Sequence, residues 1–89
     1  METLQKLLIA GYLEEDDRII WKRKKFGERH VATIKADGSI ETADSVVHKT
    51  LSGAAKHYSM KPVDGWLVWR LERTGESLAI VRERASIRK

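Results

Sequence analysis

The stretch HVATIKADGSIET, residues 30–42, decides the fold. In residues 30–36 the side chains of Val31, Thr33 and Lys35 alternate with those of Ala32 and Ile34, and this two-residue period is typical of a half-buried β-strand. Asp37-Gly38 predicts a hairpin turn, because Gly38 tolerates a positive φ without a clash at Cβ. Residues 39–42 are predicted to form the return strand.

The residues before this hairpin predict another strand and a helix. A β-rich run from Ile19 through residues 22–25 turns at Phe26-Gly27 and completes a three-stranded antiparallel meander. The acidic run of residues 14–17 is expected to be a solvated loop, since no histidine follows to complete a metal site. An N-terminal helix is predicted, with an apolar face formed by Leu4, Leu7 and Leu8. Thr3 can cap its start, and Gly11 can end it in a left-handed conformation.

Residues 46–58 allow two interpretations. Their apolar spacing fits one amphipathic helix, but it also fits a short strand at residues 46–48 followed by a helix that Thr50 caps and Leu51 begins. Residues 66–71 predict a strand on which Trp66 and Trp69 face opposite sides.

The C-terminal segment, residues 77–85, fits a helix or a strand, with the helix favoured, and residues 87–89 are expected to fray. The predicted fold is therefore α+β: an N-terminal helix, a small antiparallel meander, a second helix, a Trp-bearing strand and a short C-terminal element. The predicted core joins the apolar phases of these elements and comprises Leu7, Leu8, Ile34, Ala55, Leu67 and Trp69.

Composition limits the classes of protein that fit. Eighty-nine residues with 42% apolar side chains make one domain with one modest core. The absence of cysteine excludes disulfides and thiolate metal sites and fits a reducing, cytoplasmic compartment. No apolar run is long enough to span a membrane.

The sequence contains no recognisable catalytic or cofactor motif. His30, His48 and His57 share no metal-ligand spacing. Ser52-Gly53 lacks the strand–elbow–helix setting of a nucleophile, and no P-loop or dinucleotide-binding turn is present. We therefore expect neither catalysis by this chain nor a bound cofactor or metal.

Charge is distributed unevenly along the chain, whose net charge is +4. Residues 21–35 and 49–70 are basic, and the segment between them is acidic. A protein with one positive side attracts phosphate backbones, although such a side also simply keeps many small domains soluble.

The order of motifs resembles the RAMA domain, a small module found beside restriction enzymes and adenine DNA methylases. The matching segments are LLIAGYL at 7–13, HVATI at 30–34, DGSI at 37–40, TLSGAA at 50–55 and DGWLVW at 64–69, followed by Leu78 and Arg82. The resemblance spans nearly all of residues 1–89, as a single domain. Leu51 and Asp64 depart from the pattern, which has proline and asparagine at these positions.

The resemblance implies an accessory, DNA-reading role in restriction–modification, with modified adenine as a proposed ligand and no catalysis. It also favours the helix that begins near Leu51. A helix start with hydroxyls and free N–H groups suits a phosphate, although an ordinary N-cap explains Thr50 and Ser52 equally well. The predicted nucleic-acid-binding residues are Lys22, Arg23, Lys24, Lys25, Lys49, Thr50, Ser52, Gly53, Lys56, Trp66 and Trp69.

Two functions of different classes fit these residues. The first is a DNA-binding module, in which one of Trp66 and Trp69 is buried and the other borders a groove with the start of the second helix, where a base could stack. The second is a protein-docking module for a methylase, nuclease or other partner. DNA binding that weakens with salt supports the first function, and partner capture insensitive to salt supports the second.

Overall fold

The predicted hairpin is the centre of a five-stranded antiparallel sheet. A computed structural model describes residues 3–87. The sheet has the order β4-β3-β2-β1-β5. Its strands are β1 (Arg18–Arg23), β2 (Glu28–Ile34), β3 (Ile40–Thr42), β4 (Val47–His48) and β5 (Arg70–Leu71). The turn at Gly38 has φ +87°, so the hairpin prediction is confirmed.

Four helices complete the described part of the chain. They are α1 (Leu4–Ile9), α2 (Leu51–Ser59), α3 (Gly65–Val68) and α4 (Leu78–Ile87), and a single 3-10 turn, Lys24–Phe26, joins β1 to β2. The Thr3 hydroxyl accepts the N–H of Lys6 at the start of α1, and Gly11 follows the helix with φ +88°. The α+β class is confirmed, as are the strand-then-helix interpretation of residues 46–58 and the helical interpretation of residues 77–85. Of the residues expected to fray, Ile87 ends α4, and residues 88–89 lie outside the described part.

Strand alternation places one face of the sheet in the core. Ile19 pairs with Ala32 and with Leu71, and Ile34 pairs with Ile40, so these side chains point the same way. The helices cover that face. The buried apolar cluster comprises Leu4, Leu7, Leu13, Ile19, Ala32, Ile34, Ile40, Leu51, Ala54, Ala55, Trp69, Leu71, Leu78, Val81 and Ala85.

The strand predicted over residues 66–71 is wrong in its first half. Gly65–Val68 forms the single turn α3, and only Arg70–Leu71 pairs with β1. Asp64 starts this turn, because its carboxylate accepts the N–H of Trp66. The predicted core is correspondingly wrong at Leu67, which is 61% exposed, because a helical turn directs it away from the sheet. Leu8 is half-buried against the core.

Two further local predictions are corrected. The solvated loop fails at Asp17, which is 9% exposed: its carboxylate accepts hydrogen bonds from Arg73 Nε at 3.0 Å and from the N–H of Glu14 at 2.9 Å. The cationic run does not remain in the strand, because β1 ends at Arg23 and residues 24–25 belong to the 3-10 turn.

Candidate nucleic-acid interface

The start of α2 is built from the polar residues that the sequence singled out. Thr50 has extended backbone, and its hydroxyl oxygen accepts the N–H of Gly53 at 2.9 Å. The Ser52 hydroxyl oxygen accepts the N–H of Gly65 at 3.0 Å. All three predicted site residues at this helix start, Thr50, Ser52 and Gly53, therefore contribute hydrogen bonds that hold α2 and α3 in place.

The turn α3 lies directly against the first peptide of α2. A Cβ on Gly65 would lie 2.2 Å from the carbonyl carbon of Leu51, so only glycine permits this approach. The carbonyl oxygen of Leu51 accepts the indole N–H of Trp69 at 3.1 Å. Trp69 is fully buried, and its ring is a core side chain rather than a surface for a base.

Trp66 is the tryptophan that borders a groove. The groove has a volume of about 370 Å³ and lies among the start of α1, the β2–β3 turn and the start of α2. The Trp66 ring is half-buried, and the guanidinium of Arg82 lies over it, 4.5 Å from the ring centroid. The remaining lining residues are Thr3, Leu4, Gln5, Asp37, Gly38, Lys49, Thr50 and Leu51. The prediction of one buried tryptophan and one beside the α2 start is confirmed.

The charges around this groove are mixed. Lys49 is exposed and forms no ion pair with any residue from 3 to 87. Asp37 is the acidic group on the opposite wall, and its hydrogen bonds from the hydroxyl and N–H of Ser39 lower its pKa, so it is ionised at neutral pH. The groove therefore offers the Trp66 ring with one cation, Lys49, and one carboxylate in its lining, and Arg82 packs over the ring.

The structure separates the cationic run Lys22–Lys25 from this groove. Arg23 points toward the core side, where its Nη1 donates to Glu28 at 3.1 Å and to the carbonyl of Tyr58 at 3.4 Å. Tyr58 is near the C-terminal end of α2, whereas the groove lies at its beginning. Nine helical residues span roughly 13 Å, so the run and the groove lie at opposite ends of the helix.

The individual cations of the run also face different ways. Lys22 follows the strand alternation and points to the side opposite Arg23. Lys24 and Lys25 are exposed on the 3-10 turn, and the Lys25 ammonium lies 6.0 Å from the ring centroid of Phe26. Lys56 is exposed in the last two turns of α2. The predicted interface is thus not one continuous surface.

The family model described as Restriction Enzyme Adenine Methylase Associated, RAMA, matches residues 2–89. The chain belongs to the RAMA family. No curated protein matches it.

Within this RAMA domain, both departures from the family pattern have a structural account. Leu51 is buried in the core, so it gains packing where the pattern has proline. Asp64 caps α3 through a side-chain oxygen, a role that the amide oxygen of asparagine also performs. The carboxylate at this position therefore preserves the local structure.

Sequence reasoning missed the contact between Arg82 and Trp66 and one side of the groove. Arg82 matched the RAMA pattern, but nothing in the sequence indicated that it would lie over Trp66. Thr3 and Gln5 reach the groove because Gln5 packs against Gly38, where an added Cβ would lie 3.0 Å from the Gln5 nitrogen.

Among residues 3–87, no group of three acidic or histidine side chains is arranged to hold a metal ion. No helix in that part is long and apolar enough to cross a membrane.

Proposed function

We propose that this RAMA domain is a non-catalytic DNA-binding accessory module that recognises a modified adenine. The observation that carries the proposal is the Trp66 ring at the groove, with Arg82 over it and Lys49 on the neighbouring wall. The association of the family with adenine methylases supports DNA as the partner.

The chemistry of the groove suits an unstacked base. A base stacked on an aromatic ring contributes about 1–3 kcal/mol. The Arg82 guanidinium holds the indole in a fixed orientation through a cation–π contact. Lys49 is positioned to neutralise a phosphate beside that base, while Asp37 provides an acceptor for an exocyclic amine.

The test compares Trp66→Ala with Leu67→Ala. Binding of a duplex carrying N6-methyladenine and of its unmethylated counterpart is measured by fluorescence anisotropy. Trp66→Ala is expected to reduce the preference for the methylated duplex to near unity, because the stacking surface is gone. Leu67 is the next residue of α3 and is exposed, so Leu67→Ala controls for changes in the turn and is expected to retain the preference.

Thermal unfolding accompanies both variants. Trp66 is only half-buried, so the Trp66→Ala protein is expected to remain folded at the temperature of the binding assay. A folded Trp66→Ala protein with unchanged preference would contradict the role of the groove. Wild-type protein that binds neither duplex at low salt would contradict DNA binding altogether.

A second candidate function is docking onto a methylase, nuclease or other protein. The observation that favours it is exposed apolar surface on two helices that contact each other: Leu67 of α3 is 61% exposed and Ile80 of α4 is 44% exposed. A docking role predicts that Leu67→Asp abolishes capture of the partner while DNA binding is unchanged.

A further inference from the structure

The face of the sheet opposite the core carries a second cluster of cations. Paired residues of antiparallel strands point to the same side of a sheet. The strand residues that alternate with the buried ones therefore lie together on the side opposite the core. We call it the open face, and it comprises Arg18, Ile20, Lys22, Arg29, Val31, Thr33, Glu41, Val47 and Arg70. The buried side chains of the described helices belong to the core on the other side.

Like charges are directly opposed on this face. Lys22 pairs with Arg29 across β1 and β2, and such a pair of like charges destabilises a sheet. Lys22 forms no ion pair within residues 3–87, and Arg29 has only Glu72, at 3.8 Å. Nothing in the fold therefore neutralises this pair fully.

A third and a fourth cation adjoin the pair. Arg70 pairs with Ile20 in the neighbouring row, and its Nη1 donates to the carbonyl of Gly75 at 2.9 Å, which holds the guanidinium at the surface. Lys22, Lys24 and Arg70 together line a shallow depression of about 490 Å³ beside β5. Glu72 is the acidic residue in that lining, so cations predominate there.

We infer that the open face, at Lys22, Arg29 and Arg70, binds the phosphodiester backbone of a nucleic acid. Concentrated cations that the fold does not fully neutralise complement a polyanion, and their contacts release counterions and add affinity independent of base sequence. The choice of nucleic acid as the polyanion rests on the proposed function. The surface itself is distinct from the Trp66 groove, since Lys22 and Arg29 lie at the end of the β1–β2 hairpin that is remote from the β2–β3 turn.

The experiment compares two variants matched in charge. Lys22→Gln/Arg29→Gln removes one free lysine and one arginine paired with a glutamate. Lys61→Gln/Arg84→Gln removes the same two kinds of cation elsewhere, since Lys61 is exposed and Arg84 pairs with Glu76. Both variants and the wild type are titrated with the methylated and unmethylated duplexes at two salt concentrations.

The open-face variant is expected to lose about tenfold in affinity for both duplexes, with a salt slope reduced by roughly two. Its preference for the methylated duplex is expected to be unchanged. Its melting temperature is expected to equal or exceed that of the wild type, because a repulsive cross-strand pair has been removed. The control variant is expected to lose much less affinity.

Other outcomes overturn the inference in distinguishable ways. Equal losses in the two variants would mean that net charge alone is responsible, and the open face would have no special role. Displacement of the duplex by polyglutamate as effectively as by competitor DNA would point to an acidic protein instead. In both cases the wild type still binds DNA and the Trp66 test stands; wild-type protein that binds no duplex would overturn both proposals.

Discussion

At the scale of single residues, Gly65 has the most restricted surroundings of the glycines in the described part of the chain. A Cβ there would lie 2.2 Å from the carbonyl carbon of Leu51 and 2.4 Å from the nitrogen of Ser52. These are backbone atoms at the start of α2 and cannot rotate away. We expect Gly65→Ala to destabilise the domain by about 3 kcal/mol or more, at or above the upper end of ordinary overpacking, measured by urea unfolding.

Gly53→Ala is the matched control. Its Cβ would lie 3.1 Å from the Thr50 hydroxyl oxygen, a contact that a small shift relieves, and alanine favours a helix by about 1 kcal/mol over glycine. The stability of Gly53→Ala is therefore expected to stay close to that of the wild type. Equal destabilisation by the two substitutions would contradict the close approach of α3 to α2.

At the residue scale, the sequence predicted the different burial of the two tryptophans but not the backbone geometry that produces it. The spacing of three predicted a difference in burial only on the assumption of a regular strand, and the difference is present although Gly65–Val68 is a helical turn. It could not show that α3 is a helical turn, because four residues contain too little of the 3.6-residue period to reveal it. The deciding contacts are between backbone atoms of residues 51–52 and Gly65, and no side-chain pattern encodes them.

At the scale of elements, Asp44 joins the β3–β4 turn to α2. Its carboxylate accepts a hydrogen bond from the hydroxyl of Thr42 and contacts His57 Nε2 at 2.7 Å. The Thr42 bond first, and His57 second, lower the pKa of Asp44. A carboxyl with a lowered pKa stabilises the fold above its unfolded pKa, about 3.9, and loses that contribution as pH falls through the folded value.

Asp44→Asn tests this connection. The variant is expected to melt below the wild type at neutral pH and to converge with it as the pH falls below about 4, measured by thermal unfolding across acid and neutral pH. His48 lies beside His57, with ring centroids 5.0 Å apart, and burial lowers its pKa. Comparison of Asp44→Asn with the double variant Asp44→Asn/His57→Gln separates the contribution of the Asp44 carboxylate from that of the His57 ring. A difference in melting temperature between Asp44→Asn and the wild type that persists at acid pH would contradict the assignment to Asp44.

Element-scale prediction from sequence was strongest where the deciding contacts are local. The Asp37-Gly38 hairpin and the Thr50 cap are specified by residues within a few positions of each other. Asp17 is the opposite case, because its partner Arg73 is 56 residues away. A run of four acids is indistinguishable from a solvated loop until that distant guanidinium is placed.

At the scale of the whole molecule, the cations that are neighbours in sequence are divided by the fold. Strand alternation sends Lys22 to the open face and Arg23 to the core side, where it contacts Glu28 and Tyr58. Lys49 lies at the other end of α2, beside Trp66. The sequence indicated one positive side, whereas the structure has a groove and a separate open face.

This separation makes a prediction about the combined variant Trp66→Ala/Lys22→Gln/Arg29→Gln. Sites that share no side-chain partner and lie more than about 10 Å apart usually give losses that add within roughly 0.5 kcal/mol. For the methylated duplex, the loss of binding free energy in the combined variant is therefore expected to equal the sum of the losses from its two parts, measured by the same anisotropy titrations. A combined loss of binding free energy well short of that sum would mean that the two surfaces are not independent. Removing the contacts of the groove would then also release the DNA from the open face, and the reverse, so that the two surfaces would act as one binding site.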